Sequence, residues 1–283
     1  FSSSNLYYKN GDSACSNDST GYNAAYNPTN GTLTLKDYEG GSITLGGDIQ
    51  RNLTIKLIGD NKITVSGDSG IVVNSYECNI TITAESGSKG ELTIDVSNAT
   101  SDNYGVTGIG NYLATGGGTS GNVTIAGYAD VTINATTNAA NWSSWGIYAG
   151  EVFIEDHAKV AITVNAPNNT GGDFVYGIYA NTNVTINTAG EITVDASNAG
   201  TGDRVYSIGV KAMGTLTLTK VGRMTVKWNN NQGSNGHPLS QNVEFDPTAY
   251  DNNVDKTNCI ATYTPKVATA NISLDKTGTV DFG

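Results

Sequence analysis

Basic residues are scarce in this sequence, and their scarcity excludes whole classes of partner. Only 15 of the 283 residues are Lys or Arg, against 26 Asp or Glu, which gives a formal net charge of −11. Binding to nucleic acid requires a basic stripe that displaces counterions from the phosphates. Anionic membrane surfaces attract basic segments in the same way. We therefore expect no nucleic-acid partner, and the composition does not favour an anionic membrane surface.

Long apolar runs and clustered cysteines are also missing. No segment approaches the roughly 20 apolar residues that a helix needs to span a bilayer, and no signal peptide is recognisable. We therefore expect no membrane insertion, and we expect the chain to be an internal part of a longer precursor. Cys15, Cys78 and Cys259 lie far apart, with no CxxC spacing and no His close by in sequence. A zinc site is thus unsupported.

The residues that are abundant favour strands and tight turns. Gly contributes 35 residues and Pro only 5, while 14% of the chain is charged. Thr, Asn, Val and Ile dominate the rest, and β-branched residues are typical of strands. A disordered chain has high charge and few β-branched residues, which is the opposite of this profile. The composition therefore predicts a folded, all-β protein.

Short apolar motifs recur along the chain in three series. The first begins at residues 52 "NLTI", 79 "NITI", 122 "NVTI", 151 "EVFI", 183 "NVTI" and 215 "TLTL". The second begins at 62 "KITV", 91 "ELTI", 130 "DVTI", 161 "AITV", 191 "EITV" and 223 "RMTV". The third begins at 69 "SGIVV", 104 "YGVTG", 145 "WGIYA", 176 "YGIYA" and 206 "YSIGV". Each period therefore holds three short strands in a fixed order.

The alternation within each motif predicts which side chains are buried. In 191 "EITV", Ile192 and Val194 point to one side of the strand and Thr193 to the other. One such unit cannot bury its apolar side, but stacked copies can build a continuous core. We therefore predict a single-domain, right-handed parallel β-helix with three strands per coil and about six to seven coils. A β-propeller is disfavoured because its blades need four antiparallel strands.

The repeats divide the chain into regions. Residues 1–30 carry four tyrosines and few repeat features, so we predict an N-terminal cap there. The β-helix is predicted over 31–228 and capping loops over 229–264. Residues 265–283 alternate like strands again, and we predict a linker or the start of a truncated immunoglobulin-like module.

Threonine recurs once per period in the second series, which suggests two interpretations. The column is Thr64, Thr93, Thr132, Thr163, Thr193 and Thr225. Thr suits any solvated strand face, but flat Thr arrays also bind ice. The companion column two residues further on is irregular, with Ser, Asp, Asn and Lys, and this argues against ice. An ice-binding protein is nevertheless kept as the second alternative function, because of the Thr column itself.

Aromatic residues cluster in the third series. Trp145, Tyr176 and Tyr206 share the phase of the inward isoleucines, so we expect them to cap the core, whereas Tyr148 and Tyr179 should point outward. Sugar rings stack their C–H faces on exposed aromatic rings. Trp142 lies in a loop just before the third-series strand, so we predict that Trp142, Tyr148 and Tyr179 bind carbohydrate. The alternative is a tyrosine stack that only covers the sheet.

Two loop acids and the sparse catalytic groups complete the site predictions. Asp173 and Asp203 each precede a tyrosine of the third series by three residues, and stacked carboxylates with nearby carbonyl oxygens suit Ca²⁺. They are the candidate ligands of calcium, the only cofactor considered. A polysaccharide lyase or hydrolase needs clustered acids or Arg and Lys beside Ca²⁺. Only Arg204 with Asp173 and Asp203 approaches such a cluster, so we predict no enzyme and keep a lyase or hydrolase as the first alternative.

The segment 26–65, "YNPTNGTLTLKDYEGGSITLGGDIQRNLTIKLIGDNKITV", together with the "GIYA" motifs, resembles repetitive surface proteins of Gram-positive gut bacteria. These belong to a family of adhesins and carbohydrate-binding-domain-containing proteins, and the resemblance covers about residues 22 to 228. It implies secretion, attachment to the cell wall through regions outside this chain, and a β-helix that binds sugar and calcium. The expected partner is a polysaccharide or host glycan, with a host surface protein as an alternative.

Overall fold

Strands and the turns between them make up all of the chain that our computed structural model describes. The described residues are 6–12, 19–45, 52–73, 78–98, 105–110, 121–140, 142–170, 174–200, 206–229, 237–239 and 242–266. These ranges contain 25 strands and no helix, so they form an all-β structure. Accordingly, no helix within them has the length and apolar character needed to cross a membrane.

The strands vary in length from 2 to 14 residues. In the N-terminal half they are β1 (Leu6–Tyr8), β2 (Ala24–Asn27), β3 (Thr32–Lys36), β4 (Glu39–Gly40), β5 (Ile43–Leu45), β6 (Leu53–Ser66), β7 (Ser69–Val73), β8 (Ile80–Ala84), β9 (Gly90–Ser97), β10 (Thr107–Gly110), β11 (Val123–Gly127) and β12 (Asp130–Thr136). The remaining strands are β13 (Ser144–Ala149), β14 (Val152–Asp156), β15 (Lys159–Asn165), β16 (Phe174–Ala180), β17 (Val184–Thr188), β18 (Glu191–Asp195), β19 (Tyr206–Ala212), β20 (Leu216–Leu218), β21 (Arg223–Lys227), β22 (His237–Leu239), β23 (Val243–Phe245), β24 (Tyr250–Asp255) and β25 (Ile260–Pro265).

Two sheets contain all 25 of these strands, and they overturn the predicted architecture. One sheet has 18 strands, most of them parallel, and the other has seven parallel strands in the order β22, β19, β16, β13, β10, β7 and β5. The predicted right-handed parallel β-helix, with three strands per coil and about six to seven coils, is therefore wrong. What the structure retains of the prediction is a repeat-like sheet architecture.

The departure has a local cause in β6. The sequence predicts separate short strands for the first two series, but β6 runs through both motifs without interruption. Its first part pairs with β3 and β8, and its second part pairs with β4 and β9. Gly59 lies inside this strand with a φ of 70°, a backbone conformation that glycine adopts without steric cost. The first and second series are thereby joined in one sheet.

Antiparallel pairs close both ends of the large sheet. β1 pairs antiparallel with β2, and β2 with β3, within and just after the segment predicted as an N-terminal cap. At the other end β25 pairs antiparallel with both β21 and β24. The segment 229–264, predicted as capping loops, carries β22 to β24 and most of β25. Each end of the sheet is thus covered by a hairpin of the same chain, which reduces the number of unpaired backbone groups.

The register of the first series follows the motif alignment, whereas two motifs of the second series, those at 62 and 161, are displaced by two residues from their neighbours. Ile63 pairs with Ile94 rather than Leu92, and Ile162 pairs with Ile133 rather than Val131. The six-residue Thr column is consequently not formed, because Thr64 pairs with Asp95 and Thr163 with Asn134 and Asp195. An unbroken Thr row, which ice binding requires, is absent from these described strands.

The core is formed by the inward-facing side chains of the strands, most of which are β-branched or Leu. Alternate residues of β8, β11, β14, β17 and β20 are buried, and so are those of β9, β12, β15, β18 and β21. Ile82, Ile125, Ile133, Ile147 and Ile178 have no exposed surface. Burial of each such side chain contributes about 1.5–3 kcal/mol, so the repeated inward row is the main source of stability.

Asparagine side chains accept backbone hydrogen bonds at the point where the strands of the first series begin. The backbone N–H of Asn79 donates to Oδ1 of Asn52 at 3.1 Å, and that of Asn122 donates to Oδ1 of Asn79 at 2.8 Å. Oδ1 of Asn122 in turn accepts from the backbone N–H of Glu151 at 3.0 Å. The Asn-x-Thr triplets therefore have a structural role, because each amide satisfies a backbone donor that would otherwise lack a partner at the corner.

Candidate functional site

A column of glycines crosses the middle of the seven-stranded sheet. Gly70, Gly108, Gly146, Gly177 and Gly209 each lie against the carbonyl oxygen of the next strand, and a Cβ on any of them would collide with a core side chain of the large sheet. For Gly146 that side chain is Ile162, and for Gly177 it is Val194. Only glycine lets the two sheets approach this closely.

These glycines shift the alternation of the strands by one residue. In β13 both Gly146 and the next residue, Ile147, face the core, so Trp145 and Tyr148 both lie on the outer side. Tyr176 and Tyr179 are related in the same way in β16, about Gly177. The prediction that Trp145, Tyr176 and Tyr206 cap the core assumes unbroken period-two alternation. Tyr176 is only 6% exposed, whereas Trp145 and Tyr206 are half-buried and Trp145 does not share the side of the fully buried Ile147.

The outward aromatic side chains form a continuous line of ring contacts, which we call the aromatic strip. The centroid distances along it are 5.4 Å for Trp145–Tyr148, 5.1 Å for Tyr148–Tyr179, 5.1 Å for Tyr179–Tyr176, 5.3 Å for Tyr176–Phe174 and 5.1 Å for Phe174–Tyr206.

The geometry of these contacts decides which ring faces are accessible. Tyr148 and Tyr179 stack with an interplanar angle of only 12°, so each covers one face of the other. Trp145 meets Tyr148 at 80°, the edge-to-face arrangement that aromatic quadrupoles favour. Phe174 is 39% exposed, and is therefore the most accessible ring of the aromatic strip.

Mutual burial changes the acidity of the tyrosines in the aromatic strip. Burial raises the pKa of Tyr176 well above its usual 10.0, and the neighbouring phenols of Tyr179 and Tyr206 raise it further. Burial also raises the pKa of Tyr179, with an additional contribution from Tyr148. The raised pKa keeps both hydroxyls protonated over a wider pH range than usual, and a protonated phenol can donate a hydrogen bond as well as accept one.

The three residues predicted to bind carbohydrate are described, but they are only partly brought together. Tyr148 of β13 and Tyr179 of β16 stand next to each other because they are paired positions of two neighbouring parallel strands. Trp142 is 43% exposed and precedes β13, but no ring contact joins it to the aromatic strip among the described residues. The paired tyrosines are therefore the centre of the predicted site.

The predicted calcium ligands, Asp173 and Asp203, lie outside the described residues. Within the described part of the chain, no group of three or more His, Cys, Asp or Glu residues is placed so that it could hold a metal ion. The calcium site accordingly stays a prediction.

Phe174, Tyr176 and Tyr206 belong to the aromatic strip, although the sequence interpretation assigned none of them to the site. Tyr206 pairs with Phe174 rather than Tyr176, because the glycines of β16 and β19 are aligned with each other. Aligning the third series on its glycines instead of its tyrosines would have revealed this register.

Comparison of the chain with protein-family models, with curated proteins and with solved structures finds no match. The functional conclusion therefore depends on the geometry of the site itself.

Proposed function

We propose that this protein is a non-catalytic, extracellular surface module that binds glycans through the aromatic strip. The observation that carries the proposal is the unbroken line of six rings on the seven-stranded sheet, of which Phe174 is exposed, Tyr176 is buried and the other four are half-buried. Aromatic side chains are common in cores, but an extended row of rings on the outer face of a sheet is a feature of surfaces that contact a ligand.

Sugars are the ligand class that best suits this surface. The C–H faces of a pyranose pack on aromatic rings, while its hydroxyls need hydrogen-bonding groups at the rim. The phenols of Tyr148 and Tyr179 supply such groups, and Ser143, whose Oγ accepts from the backbone N–H of Phe174 at 3.0 Å, adds a hydroxyl next to the backbone of Phe174. Polar contacts alone gain little net free energy against water, so the rings would provide most of the affinity.

The shape of the strip favours a polymer over a single sugar. Successive strands lie about 4.8 Å apart, close to the length of one sugar residue, so rings on β13, β16 and β19 can contact successive units of a chain. An open surface of this kind is expected to bind in the micromolar-to-millimolar range. A polysaccharide or host glycan displayed outside the cell is a partner of the required length.

The test is a glycan array followed by titration of any hit against variants of the full chain. Tyr148→Ala/Tyr179→Ala and Phe174→Ala should each weaken binding at least tenfold. Tyr128→Ala is the matched control, because Tyr128 is 44% exposed but stacks on His157, in the turn between β14 and β15, and has no ring contact with the strip among the described residues. Binding that survives both strip variants would contradict this site.

The same preparation distinguishes binding from catalysis. Incubation with pectins, alginate and xylan in the presence of Ca²⁺ should release no unsaturated or reducing ends. Release of such ends would replace the proposal by the alternative of a polysaccharide lyase or hydrolase. Binding of a host surface protein in place of any glycan, abolished by the same strip variants, would change the partner but keep the site.

A further inference from the structure

A concave surface lies on the N-terminal strands β1, β2, β3 and β6. We call it the N-terminal pocket. It has a volume of about 340 Å³, and its lining includes Tyr7, Tyr22, Asn27, Asn30 and Lys56.

Strand register explains why a depression forms here. Tyr7, Ala25, Thr34 and Lys56 occupy one row across β1, β2, β3 and β6, since each pairs with the next. The row has long side chains at its ends and short ones in the middle, so Ala25 and Thr34 form a floor between Tyr7 and Lys56. Three strand spacings of about 4.8 Å separate the two ends, which leaves room for one sugar ring.

One wall of the N-terminal pocket is aromatic. The rings of Tyr7 and Tyr22 lie with their centroids 5.5 Å apart and their planes at 47°. Because the two rings are tilted, they do not cover each other's faces as stacked rings would. A ring face is thereby left available for the C–H surface of a sugar.

The remaining polar groups of the N-terminal pocket are predominantly donors. Oδ1 of Asn27 already accepts from the backbone N–H of Thr29 at 2.9 Å, and Oδ1 of Asn30 accepts from that of Thr32 at 3.1 Å. Neither side-chain Nδ2 has a hydrogen-bond acceptor in the described part of the chain. Two amide groups therefore offer N–H donors while each of their oxygens already accepts one hydrogen bond, so these side chains suit a ligand rich in acceptors.

Lys56 adds a positive charge to these donors. Its Nζ lies 3.5 Å from Oε1 of Glu85, and the two side chains are 50% and 83% exposed. An ion pair this long and this exposed contributes only about 0–1 kcal/mol, so a ligand carboxylate can replace Glu85 at little cost. The net charge of the protein does not prevent this, because charges more than about 8 Å away are screened at physiological salt.

We propose that the N-terminal pocket binds a uronic acid unit of an acidic polysaccharide. The sugar carboxylate accepts hydrogen bonds from Lys56, its ring packs against Tyr7 and Tyr22, and its hydroxyl oxygens accept from the Nδ2 groups of Asn27 and Asn30. The pocket shares no residue with the aromatic strip, so this proposal stands independently of the proposed function.

Calorimetric titration with a galacturonate trimer and with a neutral galactose trimer tests the proposal. The wild-type chain should bind the acidic trimer at least tenfold more tightly, and its affinity should fall as NaCl is raised. Lys56→Met should remove the preference without changing the affinity for the neutral sugar. Lys62→Met is the matched control, because Lys62 lies on the same strand, is 52% exposed and pairs with Asp95 outside the pocket.

Two further variants make each result decisive. Tyr22→Ala should weaken binding of the acidic trimer at least tenfold, whereas Tyr148→Ala/Tyr179→Ala should leave it unchanged. Equal affinity for the two trimers, no binding of the acidic one, or full affinity in Lys56→Met would overturn the proposal. Loss of acidic-trimer binding in the Tyr148→Ala/Tyr179→Ala variant alone would also overturn it, by placing that sugar on the aromatic strip.

Discussion

β12 and β16 show how two strands of the same repeat-like architecture obey different rules. Along β12 intermediate and buried residues alternate without a break, whereas β16 has four consecutive buried residues, from Val175 to Ile178. The difference comes from Gly177, which lets a core side chain of the large sheet reach the backbone. A strand with a side chain at every position alternates strictly between buried and outward residues. A central glycine allows the residues beside it to depart from that alternation.

The outer faces of the two sheets differ as a consequence. On the large sheet, opposite charges pair across neighbouring strands, as Lys62 does with Asp95 at 3.2 Å and Lys227 with Asp195 at 3.2 Å. The seven-stranded sheet carries the aromatic strip instead. The large sheet thus has the polar surface of a scaffold, whereas the smaller sheet concentrates the apolar surface that a ligand can cover.

The largest expected effect tests the strictly alternating sheet. Ile133 is fully buried in β12, and its side chain occupies the space that a Cβ on Gly108 would need. Ile133→Ala should lower the free energy of unfolding by about 3 kcal/mol, from lost burial and from the cavity left behind. Urea unfolding measures it.

The neighbouring outward residue is the control for that change. Thr132→Ala should cost less than about 1 kcal/mol, because its side chain faces solvent and forms only cross-strand contacts. Equal losses for the two variants would show that β12 does not bury alternate residues.

A smaller effect is expected at the glycine column. Gly177→Ala places a Cβ against Val194 and 2.5 Å from the carbonyl oxygen of Gly209, so strand separation must increase. We expect a loss of about 2 kcal/mol in unfolding free energy, together with a change in near-ultraviolet circular dichroism as the aromatic strip shifts. Gly41→Ala, where no atom lies within 4 Å of the new Cβ, is the control and should be nearly neutral. A neutral Gly177→Ala would contradict the close approach of the sheets.

The smallest effect concerns acid stability, which we assign to the outer face of the large sheet. Burial is the largest single influence on the pKa of Asp195 and raises it, but hydrogen bonds from Ser197 and the pairing with Lys227 together lower it below 3.8. Because the folded pKa lies below the unfolded one, the stabilisation is present at neutral pH and is lost as pH falls below about 4.

The pH dependence of unfolding checks this assignment. Asp195→Asn should lower stability at pH 7 by less than about 1 kcal/mol and should flatten the loss of stability at acidic pH. Ser197→Ala should reproduce part of both changes, since it removes the hydroxyl that donates to Oδ1 of Asp195 at 2.6 Å. An acid profile identical to wild type in both variants would rule out Asp195 as a contributor.

Much of the strand placement could be predicted from the sequence, but the pairing between strands could not. All six first-series motifs align as the structure pairs them, from Leu53 to Leu216. In the second series Ile63 and Ile162 are displaced by two residues from their predicted partners. A slip of two residues returns every side chain to the same face, so the hydrophobic pattern is satisfied equally well by both registers.

The candidate site could also be predicted only in part, because strand register decides which aromatic residues are neighbours. Tyr148 and Tyr179 were correctly assigned as neighbours, because the two "WGIYA"-like motifs are in register. Phe174 and Tyr206 were not recognised as partners, because motif similarity favoured aligning tyrosine with tyrosine. The steric clash that a residue other than glycine would cause beneath a core side chain depends on how the two sheets pack. The sequence of a single strand therefore does not reveal it.

That this protein is all-β, that its strands repeat, and which residues of each strand are apolar follow directly from residue volumes, β-propensity and a period of two. The joining of two strand series into one sheet by β6, and the break in alternation at the glycine column that leaves Trp145 and Tyr148 both half-buried on one side of β13, depend on how the sheets pack. The physical reason is that register and sheet closure depend on contacts between residues about 30 positions apart, where side chains of one sheet fill the space that glycines of the other leave open.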